Sequence, residues 1–445
     1  MHKKLLTLAV LGTLACSAPD WARAQTQPSI ADLQQALQQA QKAAADAQKA
    51  AQQAQDALAQ IQAAQQSIAA SAPPASAGTS VTQRPGEGLV VKNGGDSVRL
   101  YGLIDLSLSN KSNADKTGAR QSDMSVAWFS GNRWGIEGEH ALADTVGLKA
   151  IFRLESEFEL PTGDMDTPGV LFNRDAWLGV QSDSLGKLTF GRQNTLAREF
   201  SKIYGDPYGS AGVTLEEGGY TNNNDFKQLI FYSGSATGTR YDKGIVWKKE
   251  FGKLVAGLGY QIGGVPGDFS TGSTKSLGLG YNAGPFNLAS FYNTANVNGF
   301  THKTYSLGGN VQVGLLRLNA GYFDYKAEQP AAVGDRHDKA YTVSAKFTPP
   351  GKFDYELGWQ TMNATNAAVN GAGYVINAYA NTGNATASAT GKRRTWYGSA
   401  FYHLDKRTEL YLALDRLSTD GTYLASQANG FTSQAEYAAG MRFKF

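Results

Sequence analysis

The residues best able to carry out chemistry are the histidines, and their spacing does not favour catalysis. The sequence holds 5 histidines and 1 cysteine. Metal sites and nucleophile–base pairs need several such side chains close together, and the order of the chain gives no sign of this. The sequence therefore predicts a protein that is not an enzyme and needs no metal or cofactor. We expect solvated histidines on a turn, two loops and a strand: His140, His302, His337 and His403.

Charged side chains form a second pattern, because they alternate with apolar ones. Between Lys149 and Glu157, every second residue is polar apart from Ile151, and the residues between them are mostly apolar. A period of two is typical of a β-strand with one apolar and one polar face. Fixed charges on a wet strand face can attract or repel ions without any covalent chemistry.

The alternation repeats from Ser97 to the end of the chain and counts sixteen strands. Short connections alternate with long ones, of which the longest runs from Asn194 to Arg240 and is called loop 3 below. The next longest, 363–391, is rich in Asn, Ala and Thr and is predicted to be an exposed surface loop. A large soluble sandwich or propeller is the alternative fold, but its dry core would not accept so many charges.

The sequence thus predicts an all-β fold over 97–445, a 16-stranded antiparallel transmembrane β-barrel. A closed sheet satisfies its own backbone hydrogen bonds in lipid, and one of this width can hold an aqueous channel. The formal net charge of +3 excludes a strongly basic nucleic-acid-binding protein.

The residues before 97 have a different composition. Residues 1–24 combine a basic start, an apolar stretch and Ala22-Arg-Ala24, which predicts a secretory signal peptide. Residues 71–96 are rich in Pro, Gly and Ser and are predicted to be a flexible linker.

Between these segments, 25–70 consists mainly of Ala and Gln. Its Leu and Ile residues, together with the alanines between them and Gln65, occupy positions that alternate spacings of three and four. This spacing predicts an α-helical coiled coil, and a single solvated helix is the alternative. The predicted core residues are Ile30, Leu33, Leu37, Leu58, Ile61 and Ile68.

Several motifs resemble those of the general trimeric porins of Gram-negative outer membranes, in particular the betaproteobacterial type. The Ala/Gln helix is also similar to the periplasmic coiled coils of some trimeric porins that take up carboxylates or phosphate. The motifs are Asn132–Gly138, Gly147–Ser156, Arg174–Val180, Leu188–Gln193 and the ending Met441–Phe445.

This resemblance implies a homotrimer in outer-membrane lipid, with the helix in the periplasm and Phe445 as a C-terminal assembly signal. Each barrel would pass small hydrophilic solutes and ions by passive diffusion. The group of basic residues Arg133, Arg153, Arg174 and Lys149 further predicts a weak preference for anions. One alternative is a substrate-selective channel for carboxylates or phosphate. Another is a tether, in which the coiled coil connects the outer membrane to peptidoglycan.

The resemblance also implies that loop 3 folds inward and places acidic residues opposite basic residues of the barrel wall. The acidic candidates could equally be solvated loop charges. Arg192 shares its parity with apolar residues, so we expect it to point outward at a subunit interface. The candidates are Arg133, Arg153, Arg174 and Lys149 on the wall, and Asp206, Glu216 and Glu217 on the loop.

Overall fold

The computed structural model describes residues 79–445 except 85–87, 127, 144–146 and 217–226, together with separate positions between 34 and 59. The chain divides into two compact units, 1–76 and 77–445. In the described residues of both units, no helix is long and apolar enough to cross a membrane. The positions described in the first unit are all helical and exposed: Gln34, Gln38, Lys42, Ala45, Lys49, Gln52, Asp56 and Ala59.

The predicted signal peptide and all six predicted core residues of the coiled coil lie outside the described residues. Gln52 Nε2 donates to Asp56 Oδ1 over 2.9 Å, one helical turn along. Helicity at these positions agrees with the predicted helix. Association into a coiled coil stays a prediction.

The second unit is built mainly of β-strands. In chain order its strands are β1 (Thr79–Arg84), β2 (Gly88–Asn93), β3 (Asp96–Lys111), β4 (Gln121–Val126), β5 (Arg133–Ala143), β6 (Leu148–Glu157), β7 (Asp175–Ser182), β8 (Gly186–Asn194), β9 (Arg240–Phe251), β10 (Leu254–Gln261), β11 (Thr274–Asn282), β12 (Phe286–Val297), β13 (Phe300–Val313), β14 (Leu316–Ala327), β15 (Arg336–Phe347), β16 (Phe353–Ala368), β17 (Ser388–His403), β18 (Thr408–Thr419) and β19 (Ser433–Lys444).

Sixteen of these strands, β3 and β5 to β19, form a closed antiparallel barrel. From β5 onward each strand pairs with the next one in the chain, and β19 returns to β3 with Glu436 opposite Lys111 and Lys444 opposite Leu103. Strand β4 pairs with the C-terminal half of β3, and β5 pairs with its N-terminal half along the same edge. The prediction of a 16-stranded antiparallel barrel is confirmed. One rim carries the short turns and the other the long loops, and they are called the turn end and the loop end.

The outer surface of the barrel carries the apolar side chains that the alternation predicted. Leu108, Leu178 and Leu412 are 66%, 62% and 64% exposed, although each lies within a strand. The neighbours of Leu108, Ser107 and Ser109, are buried and face the interior. An apolar outer band around a polar interior is the surface that a barrel in a lipid bilayer requires.

The structure differs from the predicted linker in its second half. Strands β1 and β2 form a hairpin, with Val81 opposite Val91, and β2 pairs with the start of β3, where Val91 lies opposite Val98. The two apolar alternations, Ser-Val-Thr and Leu-Val-Val, were too short to stand out beside so many prolines and glycines. The hairpin extends the barrel wall at the turn end.

The structure also differs from the exposed loop predicted at 363–391. Strand β16 runs to Ala368 and β17 begins at Ser388, and the segment between them folds into the barrel. Tyr379 is buried there, shares a 2.7 Å hydrogen bond with Thr304 Oγ1, and donates its backbone N–H to Tyr325 Oη over 3.0 Å. A composition of small polar residues indicated the loop but gave no indication of this aromatic anchor.

Loop 3 begins with a helix, α1 (Leu196–Gly205), that lies inside the barrel. Thr195 caps its start, because the Thr195 hydroxyl accepts from the Arg198 backbone N–H over 3.2 Å. The apolar side of α1 packs on glycines of the wall. A Cβ atom added at Gly308 or Gly321 would collide with the ring of Tyr204, so these glycines leave the space that the ring fills.

We expect Tyr204→Ala to lower the free energy of unfolding by about 3–5 kcal/mol, because a fully buried ring and its contacts are lost. Tyr204→Phe removes only the 2.7 Å hydrogen bond to Ser306 Oγ and should cost about 1 kcal/mol. Urea titration of the folded barrel in detergent measures both. Equal losses for the two variants would contradict the packing role of the ring.

Candidate functional site

The part of loop 3 after α1 crosses the interior and is fixed at Tyr208. The Tyr208 ring stacks on Phe129 with centroids 5.1 Å apart, and the Arg442 guanidinium carbon lies 4.2 Å from its centroid. Its hydroxyl donates to Glu409 Oε1 over 3.2 Å. On the other side, Arg317 Nη2 donates to the Gly209 carbonyl over 2.9 Å. The loop therefore bridges two parts of the wall, β14 and β17–β19, and narrows the passage.

Phe129 reaches this position because the strand between β4 and β5 is interrupted. The buried carboxylate of Asp105 accepts from the backbone N–H groups of Phe129 and Ser130, each over 3.0 Å, and from the Tyr411 hydroxyl over 2.6 Å. The Asp105 carboxylate thus accepts hydrogen bonds from backbone N–H groups that have no strand partner where the strand is interrupted. The sequence gave no signal for this interruption.

The predicted basic residues Arg133, Arg153 and Arg174 all face the interior on neighbouring elements. Arg174 donates to Glu155 and to Glu157, and Arg133 Nη1 lies 3.8 Å from Glu155 Oε1. The alternation could not orient Arg174, because this residue precedes β7 and does not follow its parity. The backbone there turns the side chain inward onto the two carboxylates of β6.

Arg153 occupies the centre of the basic wall. Its guanidinium lies 2.7 Å from Glu137, 3.7 Å from Asp175 and 3.8 Å from Glu216 of loop 3. The first two partners belong to β5 and β7, so Arg153 joins three adjacent strands, and Glu216 brings the loop to the same point. With Arg153 only 7% exposed, these contacts compensate for its burial.

The remaining basic candidates, Lys149 and Arg192, lie away from this group. Lys149 lies towards the turn end, where it is half-buried and pairs with Glu139 over 3.0 Å. Arg192 lies opposite Ala176 on the outward-facing parity, where it pairs with Asp242 and donates to the Asn173 carbonyl over 2.6 Å. Its place at a subunit interface stays a prediction.

The acidic loop candidates do not form one row opposite the arginines. Asp206 directly follows α1, and its carboxylate accepts a hydrogen bond from the Gly209 backbone N–H over 2.8 Å. The same carboxylate lies within electrostatic range of Arg317 and Glu356 on the opposite wall. Glu216 alone among the described candidates meets the basic wall. Glu217 lies outside the described residues.

The inner side of α1 instead carries cations that the sequence analysis missed. Burial and the nearby Arg174 guanidinium lower the pKa of Arg198 to about 10, so this side chain is still charged at neutral pH. Arg240, at the start of β9, lies within electrostatic range of the Arg174 and Arg198 guanidinium groups. Residues Arg133, Arg153, Arg174, Arg198 and Arg240 are called the basic cluster below. Arg198 could have been found by recognising the amphipathic helix that begins at Thr195.

The histidines are arranged differently from the expectation, because all four belong to strands. His302 is buried, and its Nδ1 shares a 2.8 Å hydrogen bond with the Tyr325 hydroxyl. The prediction that it is solvated is wrong, since the folded segment 369–387 covers it. His403 lies 3.2 Å from both Asp354 and Glu409. Across the described residues, no group of three His, Cys, Asp or Glu side chains could hold a metal ion.

Comparison with known proteins agrees with this architecture. Residues 63–422 match the Gram-negative porin family. An outer membrane porin protein of Bordetella pertussis is 28% identical over 356 residues, which cover 71% of this chain and 87% of that protein.

Solved structures show the same fold. An anion-selective porin from Comamonas acidovorans superposes with a TM-score of 0.60 at 20% identity, covering 79% of this chain and all of that one. The outer membrane channel DcaP of Acinetobacter baumannii gives 0.53 at 12% identity, covering 80% of this chain and 99% of that one. The chain belongs to the Gram-negative porin family and forms an outer-membrane channel, not an enzyme.

Proposed function

We propose that the barrel is a water-filled channel for passive diffusion of small hydrophilic solutes and ions, with a weak preference for anions. The observation that supports this preference is the composition of the basic cluster. Its five guanidinium groups and the two lysines that pair with Glu199, Lys202 and Lys248, make seven cations. They face six carboxylates, Glu137, Glu155, Glu157, Asp175, Glu199 and Glu216, so a small excess of positive charge remains where loop 3 approaches the wall.

The charges in this channel differ from the arrangement that the resemblance implied, in which acidic residues of loop 3 lie opposite basic residues of the barrel wall. Arg198 lies on the loop and Arg174 on the wall, so cations approach the passage from both sides. Fixed charges that are held by packing raise the local concentration of counter-ions and need no rearrangement when a solute passes. Anions are therefore favoured, and neutral polar solutes still pass through water.

The subunits are proposed to form a homotrimer in which the N-terminal helices associate as a periplasmic coiled coil. One structure similar to this chain, OmpT of Vibrio cholerae, is described in trimer form. Both ends of the barrel segment, the start of β3 and the end of β19, lie at the turn end. A tether to peptidoglycan stays an alternative use of the same helix, and Arg192 and Phe445 stay candidates for the interface and the assembly signal.

We expect a reversal potential of the sign that chloride preference gives when the purified protein separates two KCl solutions of different concentration. Arg198→Gln should lower the ratio of chloride to potassium permeability by about two- to fivefold, because one charge close to the passage is lost. Arg394→Gln is the matched control, since Arg394 pairs with Asp420 at the rim of β17 and should leave the ratio unchanged. Cation preference in the unmodified protein would disprove the proposal.

Deletion of residues 25–76 should leave a barrel that folds and conducts, because the second unit begins at 77 and keeps its hairpin. The trimer should dissociate at a lower temperature, measured by electrophoresis in detergent after heating. An unchanged dissociation temperature with loss of envelope integrity in cells would favour the tether instead. No change in either measurement would remove both roles of the helix.

A further inference from the structure

A second inward-folded segment, 369–387, meets the last part of loop 3 at the loop end of the barrel. Gly234 of loop 3 leaves room for the Tyr379 ring, because a Cβ atom added at Gly234 would lie only 2.9 Å from Tyr379 Cδ2. The Tyr379 backbone has a φ of 61°, a left-handed conformation that is uncommon for residues other than glycine. Surrounding contacts must hold a residue in this conformation, and such strain is concentrated at functional sites.

Arg336 and Asp338 of β15 connect the two inward segments. Arg336 Nη1 donates to the Ile376 carbonyl of the second segment over 2.6 Å, and Arg336 Nε donates to Asp338 Oδ2 over 2.9 Å. The same Asp338 oxygen accepts from the Tyr232 hydroxyl of loop 3 over 2.9 Å. Both charged side chains are buried, so solvent does not screen their attraction. The loop junction, as it is called below, consists of Arg336, Asp338, Tyr232 and Tyr379.

The part of loop 3 that the junction holds also fixes the start of α1. Tyr232 and Ser233 are consecutive residues of this part. The Thr195 hydroxyl that caps α1 donates to the Ser233 carbonyl, and the Ser201 and Ser233 hydroxyls share a 3.2 Å hydrogen bond. The first turn of the same helix carries Arg198. Release of Tyr232 would therefore loosen the helix start that places the Arg198 charge beside the passage.

We propose that the members of the loop junction are positioning residues for ion selectivity: they lock segment 369–387 against loop 3 and so hold Arg198 in place. Removal of either charge, Arg336 or Asp338, leaves the other buried without its partner, which disfavours the locked arrangement. Removal of the Tyr379 ring takes away the contact with Gly234. The inference rests on the proposed channel function and adds to it residues that determine selectivity without belonging to the basic cluster.

The test compares three variants that change the charge of the junction in different ways. Arg336→Gln removes a positive charge, Asp338→Asn removes a negative charge, and Tyr379→Ala changes no charge. All three should shift the ratio of chloride to potassium permeability in the same direction as Arg198→Gln, each by about twofold. Reversal potentials in a KCl gradient measure the ratio. Opposite shifts for the first two variants, with no shift for the third, would show that the residues act through their own charges and would overturn the proposal.

Two further variants separate positioning from a general loss of stability. Tyr232→Phe removes one hydrogen bond and no charge, so it should fold and give a smaller shift in the same direction. Tyr374→Ala is the matched control in the same segment, where the Tyr374 carbonyl closes a turn by accepting from the Asn370 backbone N–H over 2.9 Å. It should leave the ratio unchanged. Junction variants that unfold at lower urea concentration but keep the normal ratio would show a merely structural role and would overturn the proposal.

Release of the segment can also be measured without any current, by chymotrypsin, which cleaves after exposed tyrosines. The folded unmodified protein in detergent should resist cleavage after Tyr379, whereas Arg336→Gln and Asp338→Asn should be cleaved there, as the masses of the fragments show. Resistance of both variants would overturn the locking role. An unmodified protein that folds but carries no current would contradict the proposed function itself, and the cleavage pattern would still decide whether the junction holds the segment.

Discussion

The closed ring of hydrogen bonds between strands is the interaction on which the rest of this structure depends. An open sheet edge could not remain in hydrocarbon, because its backbone groups would have neither water nor a partner. Closure is made by one strand, β3, which pairs with β5 on one edge and with β19 on the other. Once the ring is closed, every second side chain must point inward, and the interior receives its polar and charged residues as a consequence.

Inside the ring, aromatic residues position loop 3 and glycines make room for them. Tyr204 fills the space over Gly308 and Gly321, and Tyr208 stacks on Phe129 across the lumen. Because these anchors lie on rigid strands, the charges that α1 carries are held at fixed distances from the wall. Arg198 is therefore a fixed source of the field in the passage.

The strand faces could be predicted from sequence because a period of two is a local property. The alternation between Lys149 and Glu157 alone assigned Arg153 to the polar, inward strand face, and the structure places this side chain inside the barrel. Positions outside regular strands could not be assigned in this way. Arg174 precedes its strand, Arg198 belongs to a helix within a long loop, and Tyr379 lies in a segment whose composition indicated only an exposed loop. These positions depend on contacts between distant parts of the chain, which no local pattern records.

The β1–β2 hairpin also affects the diameter of the barrel. Phe445 exchanges backbone hydrogen bonds with Gly102, and Leu89 lies opposite Leu100 on the same edge of β3. Strands β19 and β2 therefore pair with successive parts of the same edge of β3, and β2 follows where β19 ends at Phe445. A slip of β19 by two residues toward the turn end would bring Phe445 into the place of Leu89. The stagger of a barrel and its strand number together determine its width, so a slip of β19 that changed this width would have to displace the hairpin from the edge of β3.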